Sequence, residues 1–154
     1  MAKVEPLPQT DGSKQRLRLW IGLLKATKRV ENAVRDRLRR EFDTTLPRFD
    51  VMAMLQKSGH GLKMSELSSE LMVSNGNVTG IIDRLVGDGL VVRVSIKGDR
   101  RATLVRLTPK GEAEFGQMAT AHESWIAELL GDLAEVDMNH MAVTLIKVKD
   151  GVHD

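Results

Sequence analysis

The sequence predicts a mainly α fold carrying one small β-hairpin, and three observations predict it. Apolar residues recur at helical spacing over most of the chain. Only two stretches, 90–96 and 103–107, alternate with the period of a strand. Between them Lys97-Gly98-Asp99-Arg100-Arg101-Ala102 has the composition of a hairpin tip. At 154 residues the chain is the size of one domain, large enough to bury a core without staples. Charged residues at 29% against 42% hydrophobic point to a soluble globular class. Cysteine is absent, which excludes disulfides, thiolate metal sites and thiol redox sensing. No leader-like or membrane-length apolar run occurs, so the chain is expected in the cytoplasm with no membrane partner. Without tyrosine, and with three Phe and two Trp, it lacks an aromatic platform for stacking single-stranded bases.

The net charge of +2 conceals a polarity along the chain. Residues 14–48 carry eleven Lys/Arg against four Asp/Glu, and residues 74–108 carry six against three. Residues 109–154 reverse the sign, with three against nine. This segregation suits a protein that presents one basic face to a polyanion, although a solvated helix face explains any single basic run equally well.

Residues 1–13, with Pro6, Pro8 and Gly12, are expected to be a disordered tail ahead of a single domain, 14–154. From Lys14 to Phe42 the spacing of Leu19, Leu23, Ala26, Val30, Val34 and Leu38 predicts a long helix. Its first half adds Leu17, Trp20, Ile21 and Leu24, an all-round apolar surface that one small domain can hardly bury without a second chain. Thr44 or Thr45 with Pro47 starts a helix over about 47–57. Residues 63–71 read as a short helix capped by Ser65 or a neighbour. Ser74 caps the next helix, in which Val78, Ile81, Ile82 and Leu85 form one inward stripe before Gly87 and Gly89 end it. After the hairpin, Thr108-Pro109 opens a helix to about Leu130, and Gly131-Asp132 opens a last one with Met138, Met141, Leu145 and Val148 on one face. Two short helices followed by a hairpin with a basic tip make a winged helix-turn-helix over 46–108, flanked by long helices at 14–45 and 109–150.

Once the inward stripe is removed, the third helix of this module presents Asn75, Asn77, Thr79, Asp83 and Arg84. Asn can bond adenine through two hydrogen bonds, Thr offers a hydroxyl or a methyl, and Arg reaches guanine or phosphate. Ser74, Asn75, Asn77, Thr79 and Arg84 are therefore candidate DNA contacts. Gly76 and Gly80 each cost this helix roughly 1 kcal/mol relative to Ala, a cost that a close approach of its backbone to DNA would offset. The competing reading is a poorly optimised surface helix held by its packing. At the tip, Lys97, Arg100 and Arg101 are candidate contacts, and Asp99 is expected to hydrogen-bond a guanidinium, that of Arg101, and aim it into a minor groove. The competing reading is a solvated turn.

From Ser74-Asn75-Gly76-Asn77-Val78-Thr79-Gly80-Ile81-Ile82-Asp83-Arg84-Leu85, through Asp88-Gly89-Leu90-Val91, to Asp99-Arg100-Arg101-Ala102 and Leu107-Thr108-Pro109-Lys110-Gly111, the chain resembles the MarR family of bacterial transcriptional regulators, over about residues 14–150. The resemblance implies a homodimer built from the first helix and the last two, double-stranded DNA contacted by the third helix of the module and the wing, and a small-ligand pocket between the two parts. Two-fold symmetry would demand a palindromic operator with half-sites about one helical turn apart. Many relatives carry Arg where this chain has Gly80, so a contact made there in them is missing here or falls to Arg84.

Relatives often respond to phenolic or aromatic carboxylic acids, and some to their coenzyme A thioesters. The basic run 35–40, with Lys28 and Arg29 before it, lies on the helix bordering the family's pocket, which favours an anionic effector. Intrahelical pairing with Glu31, Asp36 and Glu41, or attraction of DNA, explains the same arginines. Trp20, Lys28, Arg35, Arg39, Phe49 and Met52 are the candidate ligand residues, with Trp125 a further pocket wall, although such apolar residues also suit a plain core. No catalytic, metal or cofactor site is expected. His60, His122, His140 and His153 are scattered without ligand spacing, and no phosphate-binding loop or nucleophile elbow occurs. His122 and His140 read as surface or interface residues. The function expected is a homodimeric repressor released by an effector. An effector-independent architectural DNA-binding protein and a helical protein-interaction module are the alternatives.

Overall fold

Among the described residues of the computed structural model, 12–71, 75–98 and 103–152, helices follow the apolar spacing and strands follow the alternation. The order is α1 (Gly12–Phe42), α2 (Leu46–Ser58), β1 (Leu62–Lys63), α3 (Met64–Glu70), α4 (Asn75–Gly87), β2 (Val91–Ser95), β3 (Thr103–Leu107), α5 (Pro109–Leu129) and α6 (Glu135–Gly151). The chain divides after Arg48 into two compact units.

The first unit is α1 with the opening turn of α2. The helix begins at Gly12, so Gly12 and Ser13 belong to it and not to a tail, and residues 1–11 lie outside the described ones. Along α1, Leu17, Leu19, Trp20, Ile21 and Leu24 are exposed, while Val34 and Leu38 are buried. Asp43 then takes a left-handed conformation, φ 48°, which Asp tolerates better than most side chains, and its N–H donates to the Arg39 carbonyl at 3.1 Å. Thr45 caps α2, its hydroxyl oxygen accepting from the Arg48 N–H at 3.4 Å.

The second unit has a core that draws on every layer. Phe49, Val51, Met52 and Leu55 come from α2, Leu67 from α3, and Val78, Ile81, Ile82 and Leu85 from α4. Leu90, Val91, Val105 and Leu107 enter from the hairpin region, and Phe115, Met118 and Trp125 from α5. The Phe49 ring lies 5.5 Å from Phe115 and 4.8 Å from the half-buried His122 ring, in tilted pairs. His122 is therefore a ring contact of this unit. His140 is exposed on α6.

The sheet is antiparallel with strand order β1-β3-β2. Val91 pairs with Leu107 and Ser95 with Thr103, while Leu62 pairs with Val105. Strand β1 was not expected from the sequence: two residues are too few to show a period. Its presence also corrects the start of α3. Lys63 is the N-cap, entering directly from the strand without a side-chain bond, and Ser65 lies inside the helix, where its carbonyl accepts from the Ser69 hydroxyl at 2.9 Å. The last helix starts later than Gly131-Asp132 suggested. The chain makes a turn there, with the Gly131 N–H on the Glu128 carbonyl and the Leu133 N–H on the Leu130 carbonyl, and α6 begins at Glu135 after an uncapped Ala134.

The start of α5 matches its sequence signals and shows what they are for. Pro109 is the first helical residue, and the Thr108 hydroxyl accepts from the Gly111 N–H at 3.0 Å. The same hydroxyl donates to the Gly89 carbonyl at 2.6 Å, the Thr108 N–H donates to the Leu90 carbonyl at 3.0 Å, and Lys110 Nζ donates to the Asp88 carbonyl at 3.0 Å. Gly111 seats the helix on this turn, for a Cβ there would stand 2.0 Å from the Leu90 carbonyl oxygen. Gly111→Ala is accordingly expected to destabilise the fold by about 2–4 kcal/mol, with Thr108→Ala costing about 1 kcal/mol or somewhat more, as read by chemical denaturation. Burial holds the His122 pKa below its ordinary 6.5, so the fold favours the neutral ring. The stability this contributes is full above pH 6.5 and is lost as pH falls toward the lower folded value. Acidification from about pH 7.5 to about pH 5.5 should thus lower the melting temperature of the parent more than that of His122→Gln.

Candidate nucleic-acid interface

Helix α4 separates a buried apolar side from an exposed polar side. Val78, Ile82 and Leu85 are fully buried and Ile81 is nearly so, which fixes the rotation of the helix about its axis. Asn77, Thr79, Asp83 and Arg84 consequently stand exposed. Asn75 is the first helical residue. Between the exposed side chains lies Gly80, where an added Cβ would meet nothing within 4 Å. No contact within the described fold therefore requires a glycine at this position.

The hairpin leaves the same unit. Its base is fixed at the α5 clamp, and Lys97 follows β2 as an exposed turn residue, with Gly98 at φ 95°. Ser74, Asp99, Arg100 and Arg101, named from the sequence as a cap and as wing residues, lie outside the described residues. The structure thus brings Asn77, Thr79 and Arg84 onto one helix, followed in the chain by β2 and then by Lys97 in the turn after it.

Sequence reasoning missed one charged residue of this region. Arg93 of β2 pairs with Asp83 of α4 through Nη2 and Oδ1. The signal was available in the alternation: Val91 and Arg93 are two residues apart and share a strand face, so a charge at 93 falls on the side that carries buried Val91.

The candidate effector residues divide between the units. In the first, Trp20 is 57% exposed, and Lys28, Arg35 and Arg39 are exposed with spacings of seven and four residues, which sets the three cations along one side of α1. The Arg35 guanidinium donates to Asn32 Oδ1 at 3.1 Å. In the second, Phe49 and Met52 are 6% and 1% exposed and Trp125 is 6% exposed, so all three are packed in the core.

Comparison with known proteins agrees with this arrangement. The sequence model of the MarR family matches residues 44–103, from just before α2 to the first residue of β3. A MarR family transcriptional regulator from Silicibacter pomeroyi is 32% identical and superposes with a TM-score of 0.80, covering 94% of this chain and 100% of that one. A mutant MarR from E. coli complexed with operator DNA is 25% identical with a TM-score of 0.77, covering 90% and 99%. The HTH-type transcriptional regulator PecS of Dickeya dadantii is 26% identical over 133 residues, 85% of this chain and 80% of that protein. A helix whose buried stripe turns polar side chains outward, a hairpin clamped beside it and these likenesses lead to one assignment: the chain belongs to the MarR family and is a DNA-binding transcriptional regulator, not an enzyme.

Proposed function

We propose that the chain acts in the cytoplasm as a homodimeric repressor, bound to a palindromic operator and released by a small anionic or aromatic effector. The observation that carries the dimer is α6, where every residue from Glu135 to Gly151 is exposed. Met138, Met141, Leu145 and Val148 form a stripe at alternating spacings of three and four, the pattern that one helix offers to another. A 17-residue helix with no buried side chain is marginal in water, and a second copy would supply the missing cover.

Two copies related by a two-fold axis would present two α4 helices to one duplex, which calls for inverted half-sites. Asn77, Thr79 and Arg84 would read base edges or grip phosphate, with Ser74 and Asn75 at the helix start, while Lys97, Arg100 and Arg101 of the wing reach along the backbone or into a minor groove, Asp99 aiming Arg101. The mutant E. coli MarR complexed with operator DNA supports this reading. The side of α1 that carries Lys28, Arg35 and Arg39 supports an anionic effector, such as an aromatic carboxylate or its coenzyme A thioester. Among the described residues no helix is long and apolar enough to cross a membrane.

Selection of duplexes from a random pool, followed by a gel shift, tests the reading: a palindrome should be enriched and bound as one dimer per site. Loss of the complex on adding aromatic acids or their thioesters supports an effector, whereas release by none of them favours the effector-independent reading. No preference over scrambled DNA rejects specific recognition. Gly80→Ala gives a second check. The open space at its Cβ predicts a helix more stable by up to about 1 kcal/mol. If the α4 backbone approaches the duplex closely, the same variant binds its operator less tightly than the parent, so stability and affinity move in opposite directions.

A further inference from the structure

Gly80, Asp83 and Gly87 follow one line of α4, three and four residues apart, on the side away from Val78, Ile82 and Leu85. Asp83 supplies the side chain of that line and is 59% exposed. A bare carboxylate there would meet a polyanion bearing roughly one charge per 1.7 Å of duplex axis. The complementary oddity sits on β2. Val91, Arg93 and Ser95 share a strand face, and Val91 is buried. The Arg93 side chain is 37% exposed, so the guanidinium stays in contact with solvent, and a carboxylate within reach fixes its direction. The two exposed charges meet each other, Arg93 Nη2 against Asp83 Oδ1, between α4 and β2.

We propose that Arg93 is a positioning residue for DNA binding. It holds the Asp83 carboxylate against the root of the hairpin and cancels its charge toward the duplex. The inference rests on the reading of α4 and the wing as the DNA-facing elements. Arg93 acts through Asp83 and does not itself contact phosphate.

Binding by the full-length chain decides this, measured on the selected operator and on a random duplex of equal length over a range of salt. Arg93→Ala should weaken both complexes about tenfold at low salt, since it leaves Asp83 unmasked. Asp83→Asn should tighten binding about threefold by removing a negative charge from the DNA face. Arg93→Ala combined with Asp83→Asn should return to within about threefold of the parent, whereas Arg93→Ala combined with Glu112→Gln, equal in net charge, should stay weak. A pair that stays as weak as Arg93→Ala alone identifies Arg93 as a phosphate contact and overturns the proposal. Equal recovery by the Glu112 control attributes the effect to bulk charge and overturns it too. Lowered melting temperatures in both single variants, with the affinity of the folded protein unchanged, would make the pair merely structural and overturn it as well. A parent that shows no sequence preference defeats the operator reading while the random duplex still decides on Arg93, and a parent that binds neither duplex defeats both.

Discussion

The burial of four side chains, Val78, Ile81, Ile82 and Leu85, is the constraint on which the candidate surface depends. Helix α4 contains Gly76 and Gly80 ahead of the terminal Gly87, and these two together cost up to about 2 kcal/mol of helix propensity. Each buried aliphatic side chain returns about 1.5–3 kcal/mol, so the stripe outweighs the glycines by a factor of two or more. Packing therefore decides that this segment is helical and how it is rotated. The outward side contributes little to that burial, which is why residues with poor helix propensity can stand there.

The hairpin has its own anchor at the start of α5. Strand β2 begins at Val91 and β3 ends at Leu107, and these residues are register partners, so both ends of the hairpin meet at one place. There Thr108 and Lys110 hydrogen-bond to the 88–90 turn, and Gly111 lets the helix approach the Leu90 carbonyl. The Leu-Thr-Pro-Lys-Gly segment is thus an architectural joint. Its chemistry governs where the hairpin is rooted.

What could be read from the sequence follows from how many residues carry each signal. The α4 stripe, the length of α1 and the Thr108-Pro109 start are written over several positions or in side-chain chemistry specific to a cap, and all were legible. Strand β1 was not, because a two-residue strand exists through its pairing with β3 and has no period of its own. The α3 and α6 starts misled because Ser65 and Asp132 are good caps in isolation, while the backbone enters those helices from a strand and from a turn that place Lys63 and Ala134 at the boundary. At the candidate site, the exposed face of α4 followed from subtracting the stripe, but the Arg93 pairing needed the face of β2 to be related to the face of α4. Phe49 and Met52 show the same limit from the other side: an apolar residue at helical spacing satisfies a core and a ligand pocket equally, and periodicity cannot separate them.

The two ends of the chain leave an imbalance that a single copy does not resolve. In α1 the exposed apolar residues Leu17, Leu19, Trp20, Ile21 and Leu24 lie in a segment with eleven basic against four acidic residues. In α6 the exposed Met138, Met141, Leu145 and Val148 lie on a helix with two basic and three acidic residues. In the homodimer proposed above a second copy would cover both apolar faces, and two-fold symmetry would make every such contact twice. Apolar cover depends little on ionic strength, whereas phosphate contacts weaken steeply as counterions are retained. Assembly and DNA binding in such a dimer would therefore respond differently to salt, the paired state persisting after the duplex has been lost.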